Sequence, residues 1–293
     1  ISGHGVPPDL VEETQRLAHA FFDQPLEVKR ACATAGQGAK RGYREIGASV
    51  LAYSRGDKEA APDLRELFSI GRFDTDRQED YFTSPEGRLT IVPNVWPAIP
   101  GFEDTMRRYF EAMDRLSLAL MRQFALALSL DERWFDAKVD RHISTLQLSL
   151  YPDQATPPLP GQLRASAHSD WGSLTILKTE DRPGGLEVHT DGQWKPVPFV
   201  PGSFIVNIGD LMARWTADRW VSTLHRVVNP PAAQADRSRR LSLVFFHQPN
   251  YDALIEDIGT THGADARTYE PITSGEYLRM RIAQTFGTPK TGG

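Results

Sequence analysis

The chain has 293 residues, 40% hydrophobic and 24% charged, with a formal net charge of −5. That balance suits a globular domain and argues against a nucleic-acid partner, which needs a basic stripe; Arg237, Arg239 and Arg240 form the one dense basic cluster. No run is long and apolar enough for a membrane span, no signal peptide is read, and the single cysteine, Cys32, excludes an internal disulfide and suits a reducing cytoplasm.

In chain order, Ile1-Ser2-Gly3-His4-Gly5-Val6 reads as the end of a strand running into a turn, so further sequence is expected to precede it. Pro7-Pro8-Asp9 opens a helix that reaches about Phe22, and Pro25-Leu26-Glu27 opens a shorter one. Residues 33–62, rich in Gly, Ala and charge without periodicity, read as loops. Phe102, Met106, Tyr109, Met113, Leu116, Leu120 and Phe124 recur at alternating spacings of three and four. That pattern predicts a helix from Phe102 to about Leu128, roughly 40 Å long, with the stripe as core packing.

After Asp140 the apolar pattern turns to period two. Strands are predicted at 145–151, 174–177, 186–188, 194–197, 203–207, 225–228 and 240–246, separated by Pro183-Gly184-Gly185, Asp191-Gly192, Pro201-Gly202 and Asn229-Pro230-Pro231. Short strands at this spacing suggest a sandwich or jelly roll. No linker divides the helical half from the β half, and Thr288 to Gly293 reads as a frayed tail.

The chemistry concentrates in the β half. His168 and Asp170 form a His-x-Asp pair, and His225 follows Asp170 by 55 residues (225 − 170). Two imidazoles and a carboxylate cover one face of an octahedral Fe(II) and leave the opposite face open. On a strand, residues i and i+2 share a side, so His168 and Asp170 are expected to reach one ion, with His225 arriving from the opposite wall. By themselves the three also suit zinc or a satisfied polar core. His4, His19, His142, His189 and His262 lack ligand partners at useful spacing. Gly36-x-Gly38 meets Arg41 where a dinucleotide fingerprint needs glycine, and neither a Gly-x-Ser-x-Gly elbow nor a His-Glu-x-x-His helix occurs.

The surrounding blocks carry a resemblance. Leu150-Tyr151-Pro152, His168-Ser169-Asp170-Trp171-Gly172-Ser173, Pro183-Gly184-Gly185-Leu186, Asn207-Ile208-Gly209-Asp210, Ser222-Thr223-Leu224-His225-Arg226-Val227 and Arg240-Leu241-Ser242 occur in this order. Upstream stand Gly3-His4-Gly5-Val6, Gly42-Tyr43, Asp63-Leu64-Arg65-Glu66 and Pro93-Asn94-Val95-Trp96-Pro97. Together they resemble the isopenicillin N synthase-like Fe(II)/2-oxoglutarate-dependent dioxygenases over most of the chain.

The resemblance implies a mixed α/β fold with a β core, a double-stranded β-helix (jelly roll) flanked by helices. It implies one catalytic domain over 1–293: a mainly helical scaffold at 1–140, a jelly-roll core at 141–250, and a C-terminal segment at 251–293 near the active-site mouth. It implies Fe(II) on His168, Asp170 and His225, with 2-oxoglutarate as co-substrate, O2 as oxidant and ascorbate as a stimulatory reductant. Arg240 and Ser242 would hold the distal carboxylate of 2-oxoglutarate, which a guanidinium and a hydroxyl on one strand face can do, and Tyr151 would add a donor. Many relatives carry Asn two residues before that tyrosine, where this chain has Ser149. Phe246 and His247 are expected to touch a small-molecule substrate, whereas alternation should turn Trp171 away from the iron. Asp170 argues against halogenation. The expected reaction is hydroxylation, or desaturation, epoxidation or cyclisation, with conversion of 2-oxoglutarate and O2 to succinate and CO2. An oxidase of the same family that does without 2-oxoglutarate, and a non-catalytic metal-binding barrel, are the alternatives.

Overall fold

The computed structural model describes residues 1–34, 41–73, 78–259 and 269–286. His262, the Gly36-x-Gly38 stretch and the Thr288–Gly293 tail lie outside them. The described strands are β1 (Gly42–Arg44), β2 (Glu66–Gly71), β3 (Thr145–Tyr151), β4 (Ala165–His168), β5 (Leu174–Thr179), β6 (Leu186–Thr190), β7 (Gln193–Pro196), β8 (Ile205–Ile208), β9 (His225–Val227), β10 (Arg240–His247), β11 (Leu254–Ile255) and β12 (Ile272–Thr273). A major sheet runs β1-β2-β3-β10-β5-β8, and a minor one runs β4-β9-β6-β7. Every pairing is antiparallel, and both sheets contribute walls to one cavity, the arrangement of a jelly roll.

Parity along β10 explains how the cavity is built. Leu241, Leu243 and Phe245 are almost fully buried in the hydrophobic core, while Arg240, Ser242, Val244 and Phe246 line the cavity. β3 and β5 flank β10 and follow the same rule: Leu146, Leu148, Leu150, Leu174 and Ile176 face the core, and Tyr151, Thr175, Leu177 and Thr179 face inward. Successive strand residues point to opposite faces, so the apolar half of each strand seats the sheet and the other half faces the site.

The core half rests on the predicted spine, a helix from Phe102 to Ala127. Phe102, Met106, Tyr109 and Met113 are buried as expected, but the buried stripe then passes to Ser117, Met121 and Ala125. Leu116, Leu120 and Phe124 are only partly buried at its edge. A helix of 3.6 residues per turn drifts away from an alternating three-and-four repeat, which accounts for the shift. The helix Pro8–Phe22 packs alongside. Among the sulfur residues, Met106, Met113, Met121 and Met212 are fully buried, Cys32 is buried, and Met280 is 42% exposed.

Two strands fall before residue 140, where only a strand end at Ile1 was expected. β1 lies inside the stretch read as loops, and β2 begins on a charge. Glu66 is turned inward and accepts from Lys29 Nζ (2.7 Å) and Tyr43 OH (2.7 Å), so its buried ion pair masks the apolar signature of a strand. The strand end expected at Ile1 is a single backbone pair with Phe204, at 2.7 and 3.0 Å. Among the described residues no helix is long and apolar enough to cross a membrane.

Candidate metal centre and adjoining cavities

His168 closes β4 and His225 opens β9, and the two are directly paired across these neighbouring strands. The expectation that His225 arrives from the opposite wall is therefore corrected: both imidazoles stand side by side on the minor sheet, ring centroids 4.3 Å apart. Asp170 lies two residues past the end of β4, so strand alternation does not place it either. A backbone clasp does. Asp210 N donates to Asp170 O (2.7 Å), Leu211 N to Gly172 O (2.9 Å) and Gly209 N to Ser173 O (3.0 Å). A Cβ at Gly209 would collide with the carbonyl of Gly172, which is why this turn requires glycine.

Each member of the triad is held by one polar atom and offers another. His168 Nδ1 lies 2.7 Å from Ser166 O, and His225 Nδ1 lies 3.0 Å from Thr223 O. A carbonyl can only accept, so both Nδ1 atoms carry the proton and both Nε2 lone pairs are available. Asp170 Oδ2 accepts from Asn207 Nδ2 (2.7 Å), leaving Oδ1 at 3.9 Å from His168 Nε2 and 3.6 Å from His225 Nε2. These gaps are too long for hydrogen bonds, and the three offered atoms lie within 4.8 Å of one another. Burial first, and the neighbouring His225 second, push His168 down to about 3, so it is neutral. Burial opposes the charge on Asp170, yet the two imidazoles and Asn207 hold its carboxyl below the ordinary value. Neutral imidazoles and an ionised carboxylate are the protonation states that ligate a metal.

The cavity beneath the triad contains the residues expected to hold the co-substrate. Arg240 pairs with Tyr151 across β10 and β3, its guanidinium 5.0 Å from the tyrosine ring. It is 4% exposed, and its buried Nε has no hydrogen-bond partner. Ser242 Oγ is 3.3 Å from Thr179 Oγ1. A buried guanidinium with an unmet donor is costly until an acceptor arrives, so the pocket fits a carboxylate. The rival arginines are engaged elsewhere: Arg239 reaches Asp23 at 2.5 Å, and Arg237 is exposed on a 3-10 turn. Ser149 turns to a different use, accepting from Gln147 Nε2 at 3.0 Å.

Two matches cover most of the chain. Residues 141–249 match the 2OG-Fe(II) oxygenase superfamily, and residues 1–99 match the N-terminal region of non-haem dioxygenases in morphine synthesis. A 2-oxoglutarate-Fe(II) type oxidoreductase of Emericella nidulans is 31% identical over 98% of this chain and 80% of that protein. The chain belongs to the 2OG-Fe(II) oxygenase superfamily. Validamycin A dioxygenase of Streptomyces hygroscopicus is 32% identical to this oxygenase over 91% of this chain and 72% of the other. The crystal structure of a full-length Neurospora crassa protein in complex with alpha-KG superposes on it with a TM-score of 0.81 at 33% identity, covering 96% of this chain and 84% of that one. The oxygenase is thus an oxidoreductase acting on small molecules, a dioxygenase that uses Fe(II), 2-oxoglutarate and O2.

The residues expected at the substrate divide. A second cavity adjoins the first and is lined by Phe246, which the two share. His247 has the opposite parity and points into the core, Nδ1 at 2.6 Å from Ser173 Oγ and its ring 5.7 Å from His142. One strand cannot turn consecutive residues to the same face, so the expectation for His247 is not met. Trp171, expected to face away, lines the second cavity, because it too lies beyond the end of β4. Side chains that touch the triad or line these cavities without an expected role are Asn207, Gln147, Arg41, Arg44 and Arg65. Asn207 and Arg65 stand in blocks that carried the resemblance, which was the available signal.

His247 has a consequence for stability. It is 1% exposed, and burial, then His142, lowers it from 6.5 to about 3. The folded state therefore binds this proton less readily than the unfolded state, and the stability is complete above pH 6.5 and lost as the pH falls towards 3. Denaturant unfolding of the metal-free protein should show a decline over that window of up to about 5 kcal/mol from this residue. His168 is depressed in the same way, so His247→Gln should make the decline shallower rather than abolish it; an unchanged slope would contradict the assignment.

Proposed function

We propose that this oxygenase oxidises a C–H bond of a small metabolite, with hydroxylation as the default outcome. His168, Asp170 and His225 hold the iron, while Arg240, Ser242 and Tyr151 hold the distal carboxylate of 2-oxoglutarate. The observation that carries this reading is the pairing of three half-anchored donor groups with a buried Arg240 whose Nε is unmet in one cavity. That unmet donor also favours a 2-oxoglutarate enzyme over an oxidase that does without it. When bound, Fe(II) and 2-oxoglutarate together supply activation of O2, with the co-substrate leaving as succinate and CO2.

The chain's own contribution is positional and electrostatic. Carbonyls of Ser166 and Thr223 fix the imidazole tautomers, and Asn207 aims Oδ1 of Asp170 by holding Oδ2. Leu177, Val188, Ile205 and Val227 line the co-substrate cavity and exclude water, which strengthens the grip of Arg240 on an anion. We read 1–293 as one catalytic domain, with 1–140 as scaffold, 141–250 as jelly-roll core and 251–293 at the mouth. In support, β1 and β2 extend the core sheet, and Leu278 and Ile282 line the second cavity. The lone buried thiol suits a reducing cytoplasm.

Succinate release tests this reading. With Fe(II), 2-oxoglutarate and O2, a screen of metabolites should contain one that stimulates succinate formation well above the substrate-free rate. Chelation of the metal should bring turnover below about 1%, and Fe(II), but not Zn(II), should restore it. No 2-oxoglutarate consumption at full iron loading would refute the assignment.

A further inference from the structure

The second cavity shares Arg65, Gln147, His168, Asp170 and Phe246 with the co-substrate pocket and extends past Trp171 to the C-terminal helix Ser274–Phe286. Arg41, Arg44 and Arg65 line it, and its sole carboxylate among the described residues is Asp170, which belongs to the triad. With iron, 2-oxoglutarate, Asp170 and Arg240 in place, those four charges cancel. The positive charge of the second cavity is not drawn on by that chemistry.

Arg65 is the sharpest case. Its side chain is 7% exposed, and its nearest carboxylate, Asp63 Oδ2, lies 3.9 Å from Nη2. That carboxylate is already engaged, since Oδ1 accepts from Ser166 N (2.8 Å) and Oδ2 from Leu51 N (3.1 Å). Arg65 Nε is buried with no hydrogen-bond partner. Burial, then repulsion from Arg65, lowers Arg44 to about 10, and burial alone does the same to Arg41, so both remain cations at neutral pH. Arg41 is seated against Gly71, where a Cβ would overlap its guanidinium.

Two further polar atoms of this wall are unmet. Gln248 Nε2 and Thr90 Oγ1 are buried without a hydrogen-bond partner, and both residues line the cavity. The rest of the wall is largely apolar, with Leu51, Leu67, Ile143, Trp171, Phe246 and Leu278. Buried donors of this kind are stable only with an acceptor, and the planar acceptor that matches a guanidinium fork is a carboxylate.

We propose that the substrate is a carboxylate-bearing molecule with an apolar body, its carboxylate received by Arg65 beside the iron and its body packed on Trp171, Phe246 and Leu278. This rests on the assignment of the triad and Arg240 made above. The C–H bond to be oxidised then lies within a few bonds of the acid group, because Arg65 lines both cavities at the triad.

The test compares aryl- and alkyl-carboxylic acids with their primary amides, phenylacetate with phenylacetamide and octanoate with octanamide among them. Binding is read by saturation-transfer NMR with Zn(II) in place of iron and 2-oxoglutarate present, and turnover by stimulated succinate release with Fe(II). Acids should bind at least about 10-fold more tightly than their amides. Arg65→Met should erase that preference, Arg65→Lys should keep part of it, and both should retain the wild-type affinity for 2-oxoglutarate. Equal binding of acids and amides, failure of every acid in the panel, or a preference that survives Arg65→Met would overturn the proposal. So would a loss of 2-oxoglutarate affinity in Arg65→Met, which would make Arg65 a co-substrate ligand. If the wild-type protein binds acids through Arg65 but fails to bind 2-oxoglutarate, the co-substrate assignment fails and this one stands.

Discussion

An Asp170→Asn enzyme is expected to keep its fold and lose its metal. Hydrogen-bonding neighbours of metal ligands carry roughly 10–100-fold in metal affinity or activity, so loss of a ligating charge should exceed that and take turnover down by about 10³-fold or more. The size of the stability change separates a functional from a structural triad. In the metal-free protein Asp170 is a buried carboxylate, 4% exposed; desolvation opposes its ionisation, but the two imidazoles and Asn207 outweigh that and favour the charged form. Asparagine keeps the shape and can still accept from Asn207, and it gives up that electrostatic gain. The thermal midpoint of the metal-free variant should lie somewhat below that of the wild type with a cooperative transition retained, while the rise on adding metal disappears. A collapse of the apo fold would mean instead that the triad is structural. Iron titration followed by thermal unfolding with and without metal makes both measurements.

Arg240→Leu carries the second large effect. The guanidinium is buried between β3 and β5 with its Nε unmet, so its partner charge comes from outside the chain. Truncating one member of a buried charged pair removes roughly 2–4 kcal/mol, which corresponds to about a 30- to 1000-fold rise in the 2-oxoglutarate dissociation constant. Anaerobic titration of the Fe(II) enzyme with 2-oxoglutarate reads this directly, and KM for the co-substrate should rise with it. Lysine restores charge without the planar fork, so Arg240→Lys should fall between the two. An unchanged affinity in Arg240→Leu would remove Arg240 from the site.

Strand positions were legible wherever one face of a strand is apolar and the other is not. β3 matches its expected span, Thr145–Tyr151, and β10 begins at Arg240 as expected and runs one residue beyond Phe246. The same alternation could have divided Phe246 from His247, since neighbours on one strand face opposite ways. What the pattern could not carry was pairing. Nothing local to Thr223–Val227 says that its partner is β4, so the side-by-side imidazoles were invisible. Asp170 is placed by a loop clasped to Gly209 and Asp210 through backbone atoms, and backbone contacts leave no side-chain code beyond the glycine. Arg65 stands in a block that carried the resemblance, but its role was not legible there. It sits between Asp63, which caps Leu51 and Ser166, and Glu66, which pairs with Lys29, and charge alone in Asp-Leu-Arg-Glu does not tell that all three charged side chains are buried.

The placement of sulfur bears on how such an enzyme ages. Iron that handles O2 releases stray oxidants whenever turnover is uncoupled, and thiols and thioethers are oxidised according to their exposure. Burial keeps the Cys32 thiol protonated by raising its pKa, and four of the five methionines are fully shielded. Met280 alone is open to solvent, on the same helix that supplies Leu278 and Ile282 to the second cavity. It stands two residues from each of them and so on the opposite face of the helix. Oxidative wear is thereby channelled to a single solvent-facing position, where a sulfoxide adds polarity that water already meets and leaves the packed interior untouched. An ageing molecule would be marked on its surface before it lost its fold.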